Sequence, residues 1–341
     1  MKKKVSIKDI AAQLNISITT VSLILNGKAK EVGLRDALAE KVLKHAEEVG
    51  YKPNLLAKSL RTGKTKIICL LIENIADPFF SSVAAFVEEQ ANLRGYKIIY
   101  GSTKNEPGKT RELINLFKDR HVDGFIIAPS ENLEKDIKSL LSENVPLVLF
   151  DRFYETISTD QVVIDNFESA YKVVELLIDR HYKNIAFITL DSSQTQMADR
   201  LSGYLKALND YGLKAQSHVK KILYSKVEQD AFNEIMELVK SNPQLDALFF
   251  GTSYLTLKGL EVLNELGIAI PQDMGVVSFD DHAVFKLFTP SITAVAQPVA
   301  QMSEQLVNLL LEQIDDQTSS RIKKQIVVPA ILHVRNSLKA K

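Results

Sequence analysis

Three short apolar runs are each followed by charged or aromatic residues: Asp77-Pro78-Phe79-Phe80, Asp151-Arg152 and Asp280-Asp281. Arg200 and Thr252-Ser253 stand in comparable places after two further runs. Carboxylate and guanidinium planes can each hold two neighbouring hydroxyls, and aromatic rings cover an apolar face, so the set has the chemistry of binding a sugar. Each member alone has a plainer reading. Phe79 and Phe80 suit a core, Asp151-Arg152 a surface pair, and Asp280 and Asp281 a cap or turn. Their common place after strand-like runs favours a site, because ligands of open parallel sheets bind at the carboxyl ends of strands.

A second set lies near the N-terminus. Ser6 and Asp9 have capping-box spacing ahead of Ile7, Ile10, Ala11 and Leu14, an apolar helical stripe. Asn15 suits a left-handed turn, and Ser17 can cap a second short helix. Two such helices around a tight turn fit a helix-turn-helix, whose second helix sends its first residues to base edges in the major groove. Those residues are Ile18 and Thr19; a hydroxyl serves a base or phosphate, and an aliphatic side chain meets a thymine methyl. A helical hairpin inside a larger core is the bland alternative.

Catalytic chemistry finds little support. The six His are scattered, no metal-ligand spacing occurs, and there is no Gly-x-Ser-x-Gly nucleophile motif. Gly63-Lys64-Thr65 resembles the end of a phosphate-binding loop, but Lys58 stands where the loop needs glycine, and the tripeptide precedes a strand instead of following one. The expectation is a chain that is not an enzyme and carries no cofactor or metal.

Net charge is zero, yet residues 1–66 hold 14 Lys and Arg against 6 Asp and Glu, while the other 275 hold 28 against 36. A basic head on an acidic body points to a head that meets a polyanion. No apolar run is long enough to span a membrane, no secretory signal is visible, and the single cysteine, Cys69, can form no internal disulfide. A cytoplasmic protein without membrane partners is expected.

The elements that must position these residues follow from periodicity. A third helix over 34–49 closes at Gly50, with Leu38, Val42, Ala46 and Val49 inward. From residue 66 onward, strand candidates at 67–72, 97–101, 124–128, 147–150, 185–190, 247–250 and 275–279 alternate with helical segments at 79–94, 110–120, 167–180, 200–211 and 255–266. Such alternation predicts an α/β body of doubly wound parallel sheets, and its length favours two lobes. The expected domains are a head over 1–52, a linker over 53–66 and a core over 67–341.

The chain resembles the lactose and galactose repressor family of bacterial transcription regulators. The resemblance rests on Ser6-Ile-Lys-Asp-Ile-Ala, Thr20-Val-Ser, Leu25-Asn-Gly and Gly50-Tyr-Lys-Pro-Asn-Leu-Leu-Ala-Lys-Ser-Leu60-Arg. In the body it rests on Pro78-Phe79-Phe80, Val122-Asp-Gly, Asp151-Arg152, Arg200-Leu-Ser-Gly-Tyr204, Ser278-Phe-Asp280-Asp281 and Gln297-Pro298. It implies a two-lobed core like that of periplasmic sugar-binding proteins, with one lobe over 67–163 plus 293–323 and another over 164–292 plus 324–341. It also implies a homodimer on palindromic operator DNA, acting as a repressor. DNA contacts would come from Ser6, Ser17, Ile18, Thr19, Thr20, Ser22, Leu23 and Asn26 in the head. A hinge helix over 54–60 would add Asn54, Ala57, Lys58 and a minor-groove wedge, Leu60. Effector contacts would be Phe79, Phe80, Asp151, Arg152, Arg200, Ser253, Asp280 and Gln297. Leu23 stands where the family often has arginine, and Thr252-Ser253 replace a pair that is usually Asn-Asp. A monosaccharide or its phosphate is the expected effector; the rival reading is a sugar-binding transport protein, which would need an export signal and no head.

Overall fold

The computed structural model describes residues 5–51, 63–213, 218–316 and 322–340. The chain forms two compact units, residues 1–65 and 66–341. The hinge residues Asn54, Ala57, Lys58 and Leu60 lie outside the described residues.

In the first unit the helix Ile7–Leu14 begins at the expected capping box: Asp9 N donates to Ser6 Oγ at 3.3 Å and Ser6 N to Asp9 Oδ2 at 2.8 Å. It ends at Asn15, whose φ of 53° and ψ of 47° are left-handed. Two residues later Ser17 Oγ accepts from Thr20 N at 3.0 Å and opens the helix Ile18–Leu25. The third helix, Asp36–Glu48, starts two residues later than its pattern implied and has no side-chain cap at Arg35. Ile10, Ala11, Val21, Ile24, Val42 and Ala46 close the core between the three helices, with Leu38 and Val49 packed on its edge.

The second unit holds two six-stranded sheets. β1 (Ile67–Ile72), β2 (Lys97–Ser102), β3 (Gly124–Ile127), β4 (Leu147–Phe150) and β5 (Asp160–Ile164) build the first. β6 (Ile185–Leu190), β7 (Val219–Ile222), β8 (Ala247–Phe250), β9 (Gly275–Phe279) and β10 (Thr293–Ala296) build the second. β11 (Gln325–Val328) completes the first sheet, and β12 (Ile331–His333) the second. Their orders, β11-β5-β4-β3-β1-β2 and β12-β10-β9-β8-β6-β7, are the same arrangement twice, parallel except for the β10–β12 pair. β1 corresponds to β6, β3 to β8 and β4 to β9.

Period-two burial explains the layers. Ile68, Leu70 and Ile72 of β1 face one core with the helix Pro78–Leu93, while Cys69 and Leu71 face another with Ile114 and Phe117 of the helix Pro107–Asp119. In the second lobe Phe187, Phe249 and Phe279 pack with Tyr204 of the helix Thr195–Asp210. Ile188, Leu248 and Phe250 face the opposite core, with Ile235 of the helix Val227–Ser241.

The chain crosses between the lobes three times, but two boundaries differ from the expected ones. Residues 293–296 pair with β9 and belong to the second sheet, whereas 325–328 pair with β5 and belong to the first. The crossings therefore fall after Ile164, at Gln297-Pro298 and at Pro329-Ala330. Arg200 does not start its helix: the helix begins at Thr195, placing Arg200 in the second turn with its side chain fully buried.

Candidate functional site

The head presents the start of its second helix to solvent. Ser17, Ile18 and Thr19 are exposed while Val21 and Ile24 of the same helix are buried. Ile18 remains 49% exposed although its helical neighbours bury their apolar surface, so the fold itself gives this isoleucine no partner. Thr20 and Ser17 share a hydroxyl–hydroxyl hydrogen bond of 2.8 Å. Asn26 Nδ2 donates to Ser22 O at 2.6 Å. Leu23 is half-buried, and the Ser6 hydroxyl is bonded to Asp9 Oδ2 at 2.7 Å. Ile18 and Thr19 thus lie open, while Ser6, Ser17, Thr20, Ser22 and Asn26 also serve local structure.

The strand ends of the two lobes face each other across a cleft. A cavity of about 30 Å³ there is lined by seven of the eight expected contacts: Phe79, Phe80, Asp151, Arg152, Arg200, Asp280 and Gln297. Ser253 lines the adjoining cavity of about 260 Å³, which shares Phe79, Asp280 and Gln297 with the first.

Asp151 and Asp280 directly follow β4 and β9, the corresponding strands of the two lobes, and both adopt left-handed backbone, with φ of 66° and 69°. Non-glycine residues take that conformation at some energetic expense, and aspartate is among the types that tolerate it. Arg152 is buried rather than a surface partner of Asp151. Its Nη1 donates to Glu73 Oε2 at 2.8 Å and to Gln194 Oε1 at 3.1 Å, and its Nε to Pro129 O at 2.8 Å, with Asp151 at 3.7 Å. Glu73 and Arg152 belong to the first lobe and Gln194 to the second, so this guanidinium ties the lobes together.

Arg200 is fixed from three sides. Nε donates to Asn166 Oδ1 and Nη1 to Gly251 O, each at 2.8 Å, and the guanidinium stacks 3.7 Å from the Phe279 ring centre. Asp280 lies 3.6 Å away and accepts from Gln297 Nε2 at 2.7 Å. Asp281 turns aside to Arg335 and His333, whose hydrogen bonds hold its carboxyl below the usual range against the opposing effect of burial. Burial pushes Asp151 up to about 6 despite Arg152 and Arg200. Burial, then the charge of Asp280, pushes Asp77 up to about 6 as well.

Several lining residues were not singled out from the sequence. Glu73 directly follows β1, so the rule that found Asp151 also points to it. Gln196 and Tyr254 line the cavity, and Asn166 orients Arg200; no local pattern marks them. No helix among the described residues is long and apolar enough to cross a membrane.

Comparisons with known proteins agree with this architecture. Residues 6–54 match the family described as bacterial regulatory proteins, lacI family, and residues 174–338 match the periplasmic binding protein-like domain. The transcriptional regulator RegA of Clostridium saccharobutylicum is 30% identical over 309 residues, 90% of this chain and 92% of that protein. Catabolite control protein A of Priestia megaterium is 28% identical over 317 residues, 92% of this chain and 94% of that one. In structure, the Lac repressor dimer bound to operator superposes with a TM-score of 0.87 over 99% of this chain and 100% of its own, at 20% identity. These relatives are regulators of transcription, not enzymes. A capped helix-turn-helix head, a doubled parallel-sheet body and a relative matching along nine-tenths of the length lead to one assignment: the chain belongs to the lacI family and is a DNA-binding transcription regulator with a periplasmic-binding-protein-like effector module.

Proposed function

We propose that the protein is a repressor that binds a two-fold symmetric operator as a homodimer and is controlled by a small polyhydroxylated effector held between the lobes of residues 67–341. The head, residues 1–52, would read DNA through Ile18 and Thr19, and residues 53–66 would link it to the body. The observation that carries the effector reading is the convergence of residues from both lobes on one cavity, with Arg152 and Gln194 joining them across it. Carboxylates, guanidiniums and carboxamides beside Phe79 and Phe80 suit hydroxyl groups on one side and an apolar face on the other.

The dimer reading is supported by apolar side chains that the body leaves exposed. Phe86 and Leu93 lie two turns apart on the helix Pro78–Leu93, and Leu287 is 82% exposed. A two-fold protein matches a two-fold site. Selection of bound duplexes from a random library by the full-length protein, followed by sequencing, tests this. Two half-sites related by inversion are expected, and Thr19→Ala should alter the preferred bases in both halves, by ~1–3 kcal/mol at the affected position. A single unrepeated half-site would exclude the dimeric reading, and an unchanged base profile would remove Thr19 from the contact.

A further inference from the structure

The charge around the cleft says more about the ligand than its shape does. Four carboxylates, Glu73, Asp77, Asp151 and Asp280, line the central cavity against two guanidiniums, Arg152 and Arg200. Glu73 is engaged by Arg152 and Asp280 by Arg200, while Asp77 has no ion-pair partner among the described residues. Asp77 spends Oδ1 as the cap of the helix Pro78–Leu93, accepting from Phe79 N at 2.9 Å and Phe80 N at 3.3 Å. The adjoining space of about 340 Å³ on the Arg152 side adds Glu131, Glu134, Glu155 and Asp199, with Arg152 as its lone cationic lining residue. At the opposite mouth Lys286 is exposed, and Asp281 is bonded to Arg335.

Hydrogen-bonding capacity left over in the cavity points the same way. Gln196 is 2% exposed and its Oε1, an acceptor, has no partner; Gln297 Oε1 is likewise buried and unpartnered. Arg152, 3% exposed, leaves Nη2 with its two N–H donors unpartnered. Buried polar groups left unmatched are expensive, so the complementary ligand supplies donors to the two carboxamide oxygens as well as an acceptor to Arg152, which hydroxyl groups can do. A phosphate brings acceptor oxygens without donors for the carboxamides, and nearly two negative charges, into a cleft already rich in carboxylate.

We propose that the effector is a polyol bearing a primary amine, of the amino sugar class, its ammonium held by Asp77 and Asp280 and its hydroxyls by Gln196, Gln297 and Arg152. This rests on the reading of the cleft as the effector site. It narrows the sugar-or-sugar-phosphate expectation by excluding the phosphate.

The test uses the full-length protein and thermal unfolding, since a ligand of the native state raises the midpoint by mass action. The probes are glucosamine and galactosamine, their N-acetylated forms, glucose, galactose and glucose 6-phosphate. An aminated probe should raise Tm more than its N-acetylated or neutral counterpart. Asp77→Asn keeps an equally good helix cap while removing the charge, and should weaken the aminated probe about tenfold or more. Equal or tighter binding of the neutral, acetylated or phosphorylated probes overturns the amine assignment, as does unchanged affinity in Asp77→Asn or the absence of a shift with any aminated probe. If a neutral or phosphorylated probe binds and is lost in Gln297→Ala, the cleft stands as the effector site and only the amine falls. A probe that binds equally well to both variants removes the cleft itself.

Discussion

Asp151 carries two unfavourable features at once, a left-handed φ of 66° and a carboxyl 7% exposed. Burial raises its pKa from the ordinary 3.8 to about 6, with Arg152 and Arg200 only partly offsetting it. Between those values the folded protein holds a proton that the unfolded chain has released. The associated stability is therefore fully present below the unfolded pKa and is lost as pH rises through 6. Asparagine is nearly isosteric, tolerates the left-handed backbone and carries no charge to desolvate. Asp151→Asn should accordingly be more stable than the parent at pH 7.5, by on the order of 3 kcal/mol, with the difference closing towards pH 4. Denaturant unfolding across that range measures it, and a gap independent of pH would mean that the charge is not the cause. Asp151 and Asp280 were visible in the sequence because each directly follows a mainly apolar run. That Arg152 would turn to Glu73 and not to its neighbour was not, since backbone direction at a left-handed residue decides it.

The elements that hold Arg200 depend on one glycine. A Cβ on Gly203 would come within 2.2 Å of Phe167 O and 3.1 Å of Ala170 Cβ, so the helices Asn166–Asp179 and Thr195–Asp210 cross closely only because that atom is absent. The same crossing brings Asn166 Oδ1 to Arg200 Nε. Gly203→Ala should separate the helices, lower stability by about 1–3 kcal/mol, and weaken effector binding through the displaced guanidinium. Calorimetric melting together with ligand titration would check both; a variant with parental Tm and affinity would show that the helices have slack. Elements of this kind differ in how plainly the sequence announces them. The central strands β1, β4 and β8 are unbroken apolar runs, β6 and β9 are interrupted only by Thr189 and Ser278, and all five are found where expected. β7 reads Val-Lys-Lys-Ile at a sheet edge, and β11 has only Val328 fully buried, so neither stands out from a surface segment. The lobe assignment of residues 293–296 and 325–328 escaped for another reason: pairing partners remote in sequence determine it, not local pattern.

At the scale of the whole ligand-binding unit, the loop after β6 acts as a clasp. Glu131 of the first lobe accepts from Ser192 Oγ at 2.8 Å, Ser193 N at 3.0 Å and Ser193 Oγ at 3.3 Å. Gln194 Nε2 donates to Asn105 Oδ1 at 2.9 Å, and Phe153 N donates to Thr195 Oγ1 at 3.3 Å. Four consecutive residues of one lobe thus bond to the other, beside a central cavity of about 30 Å³, which has room for little more than a water. Lobes held this close must part for a ligand to enter, so effector affinity includes the free energy of that opening. Glu131→Ala removes the acceptor shared by two serines and should shift the balance towards the open arrangement by ~1–2 kcal/mol, roughly tenfold in population. Paired spin labels at the exposed Lys135 and Lys221, on opposite lobes, would report it as a longer and broader distance distribution. An effector that selects the closed state should restore the short distance at saturation and bind this variant more weakly; one that selects an open state should bind it more tightly. A distribution identical to the parent's would assign the closure to the bonds that Glu131→Ala leaves in place, from Gln194 to Arg152 and Asn105 and from Phe153 to Thr195.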